Sequence, residues 1–185
     1  MAFVLHKPYS SASEDRLVEL LFVRAGKPPA HALPDAAKAF TLMREAGRRD
    51  GVSLLIVSGH RSLEEQRLCF HEAQRRHGRN QAVSWVAPPG YSEHHTGYVF
   101  DIGDEKVPTA DDEPEFEETP AFRWLVGSAA SFGFELSFPR GNKGGVSYEP
   151  WHWRYVGTPV ARDLFHPSGL RNWRGWLLAL GRAVV

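Results

Sequence analysis

The sequence predicts an α+β fold, and three observations predict it. Segments with helical periodicity and short apolar runs are mixed without regular alternation, which argues against a doubly wound sheet. A chain of 185 residues is long enough to bury a substantial core as one domain. Six Trp, eleven Phe and five Tyr supply large apolar side chains for that core.

The elements follow in order. The opening stretch, MAFVLHKPYSSASEDR, has only a short apolar patch with no basic residue before it. Residues 34–50 read as a helix, because Ala36, Phe40, Met43 and Gly47 fall on one face. GVSLLIVSG is a short apolar run bounded by glycines, as a buried strand requires. Ser62 followed three residues later by Glu65 is a capping-box pattern, opening a helix expected to reach about His77. VAPPGYS is turn-rich, and Tyr98 to Ile102 reads as a strand. Eight acidic residues fall between Asp104 and Thr119, so an exposed, solvated loop is expected there, with a lid as the lesser alternative. Thr119 and Pro120 begin a helix striped by Phe122, Leu125, Ala129 and Phe132. Extended segments are expected near Phe134 to Phe138 and Tyr148 to Val156. Residues 167–185, with Trp173, Trp176, Leu177 and Leu180, resemble an amphipathic helix packed on the body.

Composition excludes several function classes. The 22 basic and 22 acidic residues balance, so bulk electrostatics give no reason to expect nucleic acid binding. Cys69 is the only cysteine, so neither a disulfide framework nor a cysteine zinc knuckle can form within the chain. No apolar run reaches the roughly 20 residues of a membrane span, and no export signal is recognisable in the chain as it stands. A cytoplasmic monomer is therefore expected, or a cell-envelope protein if a signal has been removed.

Any metal must then be held by His and carboxylate. In YSEHHTGYVFDIGD, Asp101 interrupts an apolar run and would be costly to bury unpaired. His94 lies seven residues before it across a Thr96-Gly97 break, and His152 lies on a later extended segment. A His, Asp, His set suits a catalytic zinc, leaving a fourth position for water, and Glu149 stands where a general base could act. The bland alternatives are an Asp101–Arg pair in the strand and a surface salt bridge at Glu149. His6, His31, His71, His77 and His166 carry no comparable pattern.

Three blocks sharpen this. SEHHTGYVFDIGD resembles the S-x-H-x-x-G-x-x-x-D motif of VanY-like D-alanyl-D-alanine carboxypeptidases, zinc peptidases of bacterial cell-wall metabolism. EPWHWRYVG is similar to the family's E-x-W-H block followed by R-Y-V, and SGHRSLEEQ to its S-G-Y-R-S-x-x-x-Q block. The resemblance covers about residues 36–157, leaving 158–185 as a helical extension of the single zinc-peptidase domain 1–185.

The resemblance implies a Hedgehog/D,D-peptidase-like fold, a small antiparallel sheet packed against helices. It implies one zinc ion held by His94, Asp101 and His152, and Glu149 as the base that moves a proton from water to the leaving amine. It implies that Arg61 anchors the substrate carboxylate or the developing oxyanion, with Gln66 and Ser92 at the carboxylate end and Trp151 as a wall. His95 occupies a variable position beside the site. The implied reaction releases a C-terminal D-amino acid, D-Ala foremost, from a peptidoglycan stem peptide or precursor. L,D-carboxypeptidase, D-Ala-D-Ala dipeptidase and cross-link endopeptidase actions stay open, as does a catalytically silent zinc-binding module. His60 replaces the family's usual Tyr, and Tyr98 and Phe100 are bulkier than the residues usual after the glycine, which leaves substrate choice in doubt.

Overall fold

A four-stranded antiparallel sheet carries the residues of interest. The structure, a computed structural model, describes residues 4–166. In chain order the regular elements are β1 (Val18–Glu19), β2 (His31–Ala32), α1 (Pro34–Arg49), β3 (Leu54–Ser58), α2 (Leu63–His77), α3 (Arg79–Trp85), β4 (Val99–Asp104), α4 (Pro120–Ser128), β5 (Phe134–Leu136), β6 (His152–Tyr155) and α5 (Pro159–Phe165). Short 3-10 turns join several of them. β1 and β2 form a separate two-stranded ribbon, and the main sheet has the order β3-β4-β6-β5 with every neighbouring pair antiparallel.

The core forms as the periodicities require. Ala36, Phe40, Met43 and Gly47 are the buried stripe of α1. β3 contributes Leu54, Leu55, Ile56 and Val57, all buried. Its free edge is covered by Val23, which forms a parallel bridge to Ile56 and so blunts a surface open to foreign strands. Alternation along β4 sends Phe100 into the core, where its ring centroid lies 5.6 Å from those of both Phe40 and Phe134. Asp101, one residue on, faces the opposite side.

The capping box forms as expected: the Ser62 hydroxyl accepts from Glu65 N–H at 3.2 Å, and the Glu65 carboxylate accepts from Ser62 N–H at 2.8 Å. The helix it opens ends at His77. The α4 stripe also holds, with Leu125 and Ala129 buried and Phe122 and Phe132 partly so. Two boundaries move: β4 runs on to Asp104, and the expected extended segments contract to β5 and β6. α3 is an additional helix that the sequence pattern did not announce.

One expectation needs correcting. The acidic stretch 104–119 is not a solvated loop but two 3-10 turns, Pro108–Ala110 and Pro114–Glu118, anchored by buried residues. Phe116 is fully buried, with its ring centroid 6.0 Å from that of Phe122. The Asp104 carboxylate accepts from the N–H groups of Ala121 at 3.2 Å and Lys106 at 2.9 Å, so it binds the N-terminus of α4. Asp111 accepts two hydrogen bonds from the Arg24 guanidinium, at 2.6 and 2.7 Å. The acids of this stretch thus meet backbone donors and a guanidinium as well as water. No helix among the described residues is long and apolar enough to cross a membrane. The amphipathic helix expected at 167–185 lies outside the described residues.

Candidate metal centre

Register places the first two residues. Asp101 on β4 pairs directly with His152 on β6, and on its other side with Ser58 at the end of β3, just past a register shift. His94 arrives from a 3-10 turn, Glu93–Thr96, that is closed by Gly97 at φ 71°. That left-handed conformation suits glycine, and an added Cβ would also crowd Leu17 and Leu33, at 3.1 and 3.2 Å. The turn folds His94 back over the strand it precedes. His94 Nε2 lies 3.2 Å from Asp101 Oδ2, and His152 Nδ1 lies 3.3 Å from Asp101 Oδ1. All three residues are buried, and one donor atom from each lies within 4.8 Å of the others.

The donor chemistry fits a divalent cation. His94 Nδ1 is 2.6 Å from the Gly59 carbonyl, which can only accept, so Nδ1 carries the proton and Nε2 presents a lone pair towards Asp101. His152 Nε2 is 3.2 Å from a carboxylate oxygen of Glu93, and with the ring proton on that side the Nδ1 lone pair faces the cluster. Asp101 Oδ1 is buried without a hydrogen bond, although His152 Nδ1 is close by. A buried carboxylate oxygen left unsatisfied is costly, and a cation at this point would satisfy it.

Electrostatics in the metal-free protein follow from these contacts. Burial alone would raise Asp101, but His94 and His152 outweigh it and hold the carboxyl well below the usual range. Burial also opposes protonation of His152, yet Asp101, Glu149 and Glu93 together push it well above its ordinary value. His94 moves the other way, lowered by burial against the pull of Asp101. Glu149 Oε2 is 3.3 Å from His152 Nδ1, and burial pushes the Glu149 carboxyl up.

The remaining sequence-predicted residues take distinct places. Arg61 reaches the cluster: its Nη2 lies 3.6 Å from Asp101 Oδ2 and donates to the Ser58 hydroxyl at 3.2 Å. The strand Asp–Arg pairing and the His-Asp-His cluster therefore coexist. Gln66 is almost fully buried and is engaged at both ends, accepting from Arg61 Nη1 at 2.9 Å and donating to the Ala87 carbonyl at 2.7 Å. Ser92 caps the His94 turn, its hydroxyl accepting from His94 N–H at 3.4 Å. Trp151 is buried in the hydrophobic core. His95 is outside the cluster: its Nδ1 is 2.6 Å from the Arg61 carbonyl, and its Nε2 accepts from Gly90 N–H at 3.0 Å. With both nitrogens occupied it has none to offer a metal. His6 contacts the Val83 carbonyl, His77 stacks on Trp85 and His166 contacts Glu135.

Glu93 is the residue that sequence reasoning missed. It is buried, and it meets His152 and Arg154. Burial would raise its carboxyl, but those two partners outweigh it and hold it at about 2. The only signal for it was its place inside the His94 block.

The VanY family model, described as D-alanyl-D-alanine carboxypeptidase, matches residues 31–158, which include all three blocks and every residue of the cluster. The chain belongs to the VanY family. Among curated VanY-like relatives, a putative carboxypeptidase of Bacillus subtilis is 36% identical over 131 residues, covering 69% of this chain and 47% of its own length. The chain thus spans about half the length of that relative. Among solved structures, the LdcB LD-carboxypeptidase superposes with a TM-score of 0.70 at 29% identity, covering 84% of this chain and 73% of that one. The vancomycin-resistance D,D-pentapeptidase VanY, solved in complex with Zn(II), superposes with a TM-score of 0.65 at 28% identity, covering 89% and 92% of the two chains. The fold of this VanY chain is of the Hedgehog/D,D-peptidase type.

Proposed function

We propose that this chain is a zinc-dependent carboxypeptidase that releases a C-terminal D-amino acid, D-Ala foremost, from peptidoglycan stem peptides. The observation that carries this reading is the buried Asp101 carboxylate between His94 and His152, one of its oxygens unsatisfied, with Glu149 beside them. Family membership and the Zn(II)-bound VanY neighbour support the metal and the bond. His94, Asp101 and His152 would hold one zinc ion, which would supply Lewis acidity and make water a nucleophile near neutral pH.

The chain's own residues do the rest. Glu149 takes the proton of the attacking water and delivers it to the leaving amine, a transfer helped by the raised affinity for protons that burial gives it. Arg61 offers its guanidinium to the substrate carboxylate or to the oxyanion that develops on the carbonyl. Gln66 holds that guanidinium in place, Ser92 shapes the His94 turn at the carboxylate end, and Trp151, next to His152 in sequence, anchors that strand in the core.

The test is to incubate the protein with pentapeptide and tetrapeptide muropeptides, with and without chelator, and to follow products by mass spectrometry. Chelator-sensitive loss of one D-Ala from the pentapeptide is expected. The likeness to an LD-carboxypeptidase favours a second reading, in which loss occurs from the tetrapeptide alone. Glu149→Gln should keep zinc and lose turnover by about 10²-fold or more, and an active Glu149→Gln protein would refute its role as base.

A further inference from the structure

The His152 ring is contested by three carboxylates. Asp101 and Glu149 each place an oxygen 3.3 Å from Nδ1, and Glu93 places Oε2 3.2 Å from Nε2. A metal on one ring nitrogen leaves the imidazole a single proton, on the other. If that proton sat on Nδ1 it would be donated to Asp101 or Glu149, and the nitrogen facing the cluster could no longer ligate a metal. Which nitrogen holds the proton depends on what accepts it at Nε2.

We propose that Glu93 is a positioning residue that keeps the His152 proton on Nε2 and thereby leaves Nδ1 free to bind metal. The inference rests on the reading of His94, Asp101 and His152 as a metal centre. Glu93 is itself held firmly. Its Oε1 accepts from Arg154 Nη1 at 2.8 Å and from the Tyr9 hydroxyl at 3.3 Å, which leaves Oε2 for the imidazole. Arg154 lies two residues beyond His152 on the same face of β6, paired with Val99 as His152 is with Asp101. Its Nε donates to Glu135 on β5 at 2.6 Å. The carboxylate is therefore clamped between a guanidinium and an imidazole carried by one strand, and the clamp sets both its charge and its orientation.

An amide cannot reproduce this. Gln at position 93 has one oxygen for three donors; with that oxygen on Arg154 and Tyr9, its NH2 faces His152 Nε2 and favours the other tautomer. Glu93→Gln should therefore bind zinc on the order of 10–100-fold more weakly in competition with a chromophoric chelator. Glu135→Gln, which loosens Arg154 without touching His152, should stay within about twofold of the parent. A purely structural role for Glu93 would make the two variants alike. Ring-nitrogen NMR of the unmodified zinc-loaded protein supplies a check that needs no variant: His152 should keep its proton on Nε2 and ligate through Nδ1. Ligation through Nε2, or an unweakened Glu93→Gln, overturns the proposal. If His152→Ala binds zinc as tightly as the parent, the metal-centre reading itself fails, and that result is separate from either of these.

Discussion

Gly59 offers a demanding test, because one added methyl group should reach the metal centre through the backbone. Gly59 follows β3, and its carbonyl accepts from His94 Nδ1 at 2.6 Å. A Cβ on Gly59 would stand 2.6 Å from the main-chain oxygen of His31, about 1 Å inside the ~3.5 Å of ordinary contact. That oxygen cannot swing away, since it also accepts from His60 N–H at 2.6 Å and belongs to a residue paired with Glu19. The Gly59 backbone must move instead, and its carbonyl moves with it. Overpacking of this kind costs about 1–3 kcal/mol, and a His94 donor left unsatisfied adds about 1–3 kcal/mol. Loss of the second ligand's support should weaken zinc binding on the order of 10–100-fold. Urea denaturation of the metal-free Gly59→Ala protein measures the first effect, and chelator competition the second. Gly127→Ala is the control: it lies in α4 with nothing within 4 Å of its added Cβ, so it should stabilise by about 0.5–1 kcal/mol and leave zinc affinity alone. A Gly59→Ala protein with unchanged urea midpoint and unchanged affinity would refute the coupling between this backbone and His94.

Three further outcomes are expected. Phe116→Ala should cost about 3–5 kcal/mol in urea denaturation despite the acidic residues on both sides of it; a loss below about 1 kcal/mol would restore the picture of a solvated loop. Gln66→Ala releases one corner of the Arg61 guanidinium, so KM for the muropeptide should rise by roughly tenfold with kcat less affected, and an unchanged KM would remove Gln66 from the site's support. Asp112 is raised to about 6 in the metal-free protein by the partial burial of its carboxyl and by Asp101, against the pull of Lys27. A carboxyl raised above its unfolded value of about 3.9 costs stability above about pH 6, a cost that vanishes below about pH 4. Asp112→Asn should thus gain stability at pH 7.5 relative to its gain at pH 4. The difference should stay under about 1 kcal/mol, because the side chain is 43% exposed and solvent screens it; equal gains at both pH values would contradict the shift.

What was legible in the sequence shares one property: it repeats or it sits in a motif. The α1 stripe and the Ser62–Glu65 box could both be read, and the structure places each as expected; it also brings His94 rather than His95 to Asp101 and His152. The acidic stretch was not legible because charge density averages over residues, whereas Phe116 and the anchored Asp104 and Asp111 make the segment pack. α3 failed because RNQAVSW buries only Ala82, too little for a stripe. Glu93 failed for a different reason: a carboxylate beside two histidines resembles a surface residue, and its partners Tyr9, His152 and Arg154 lie 84, 59 and 61 positions away.

Glu93 and Glu149 also show why residue type alone could not separate the carboxylate proposed to support from the one proposed to react. Both are buried glutamates within reach of the same imidazole, yet they approach opposite nitrogens. Glu93 is compensated by Arg154 and stays charged, so it can hold a proton donor in place without taking the proton. Glu149 also meets His152, but among the described residues no guanidinium pairs with it, and burial still raises its affinity for protons. A carboxylate that must orient a ligand needs the first environment, and one that must accept and return a proton needs the second. That division is set by the strand register that aligns Arg154 and His152 on one face of β6, and it becomes visible only once the sheet is assembled.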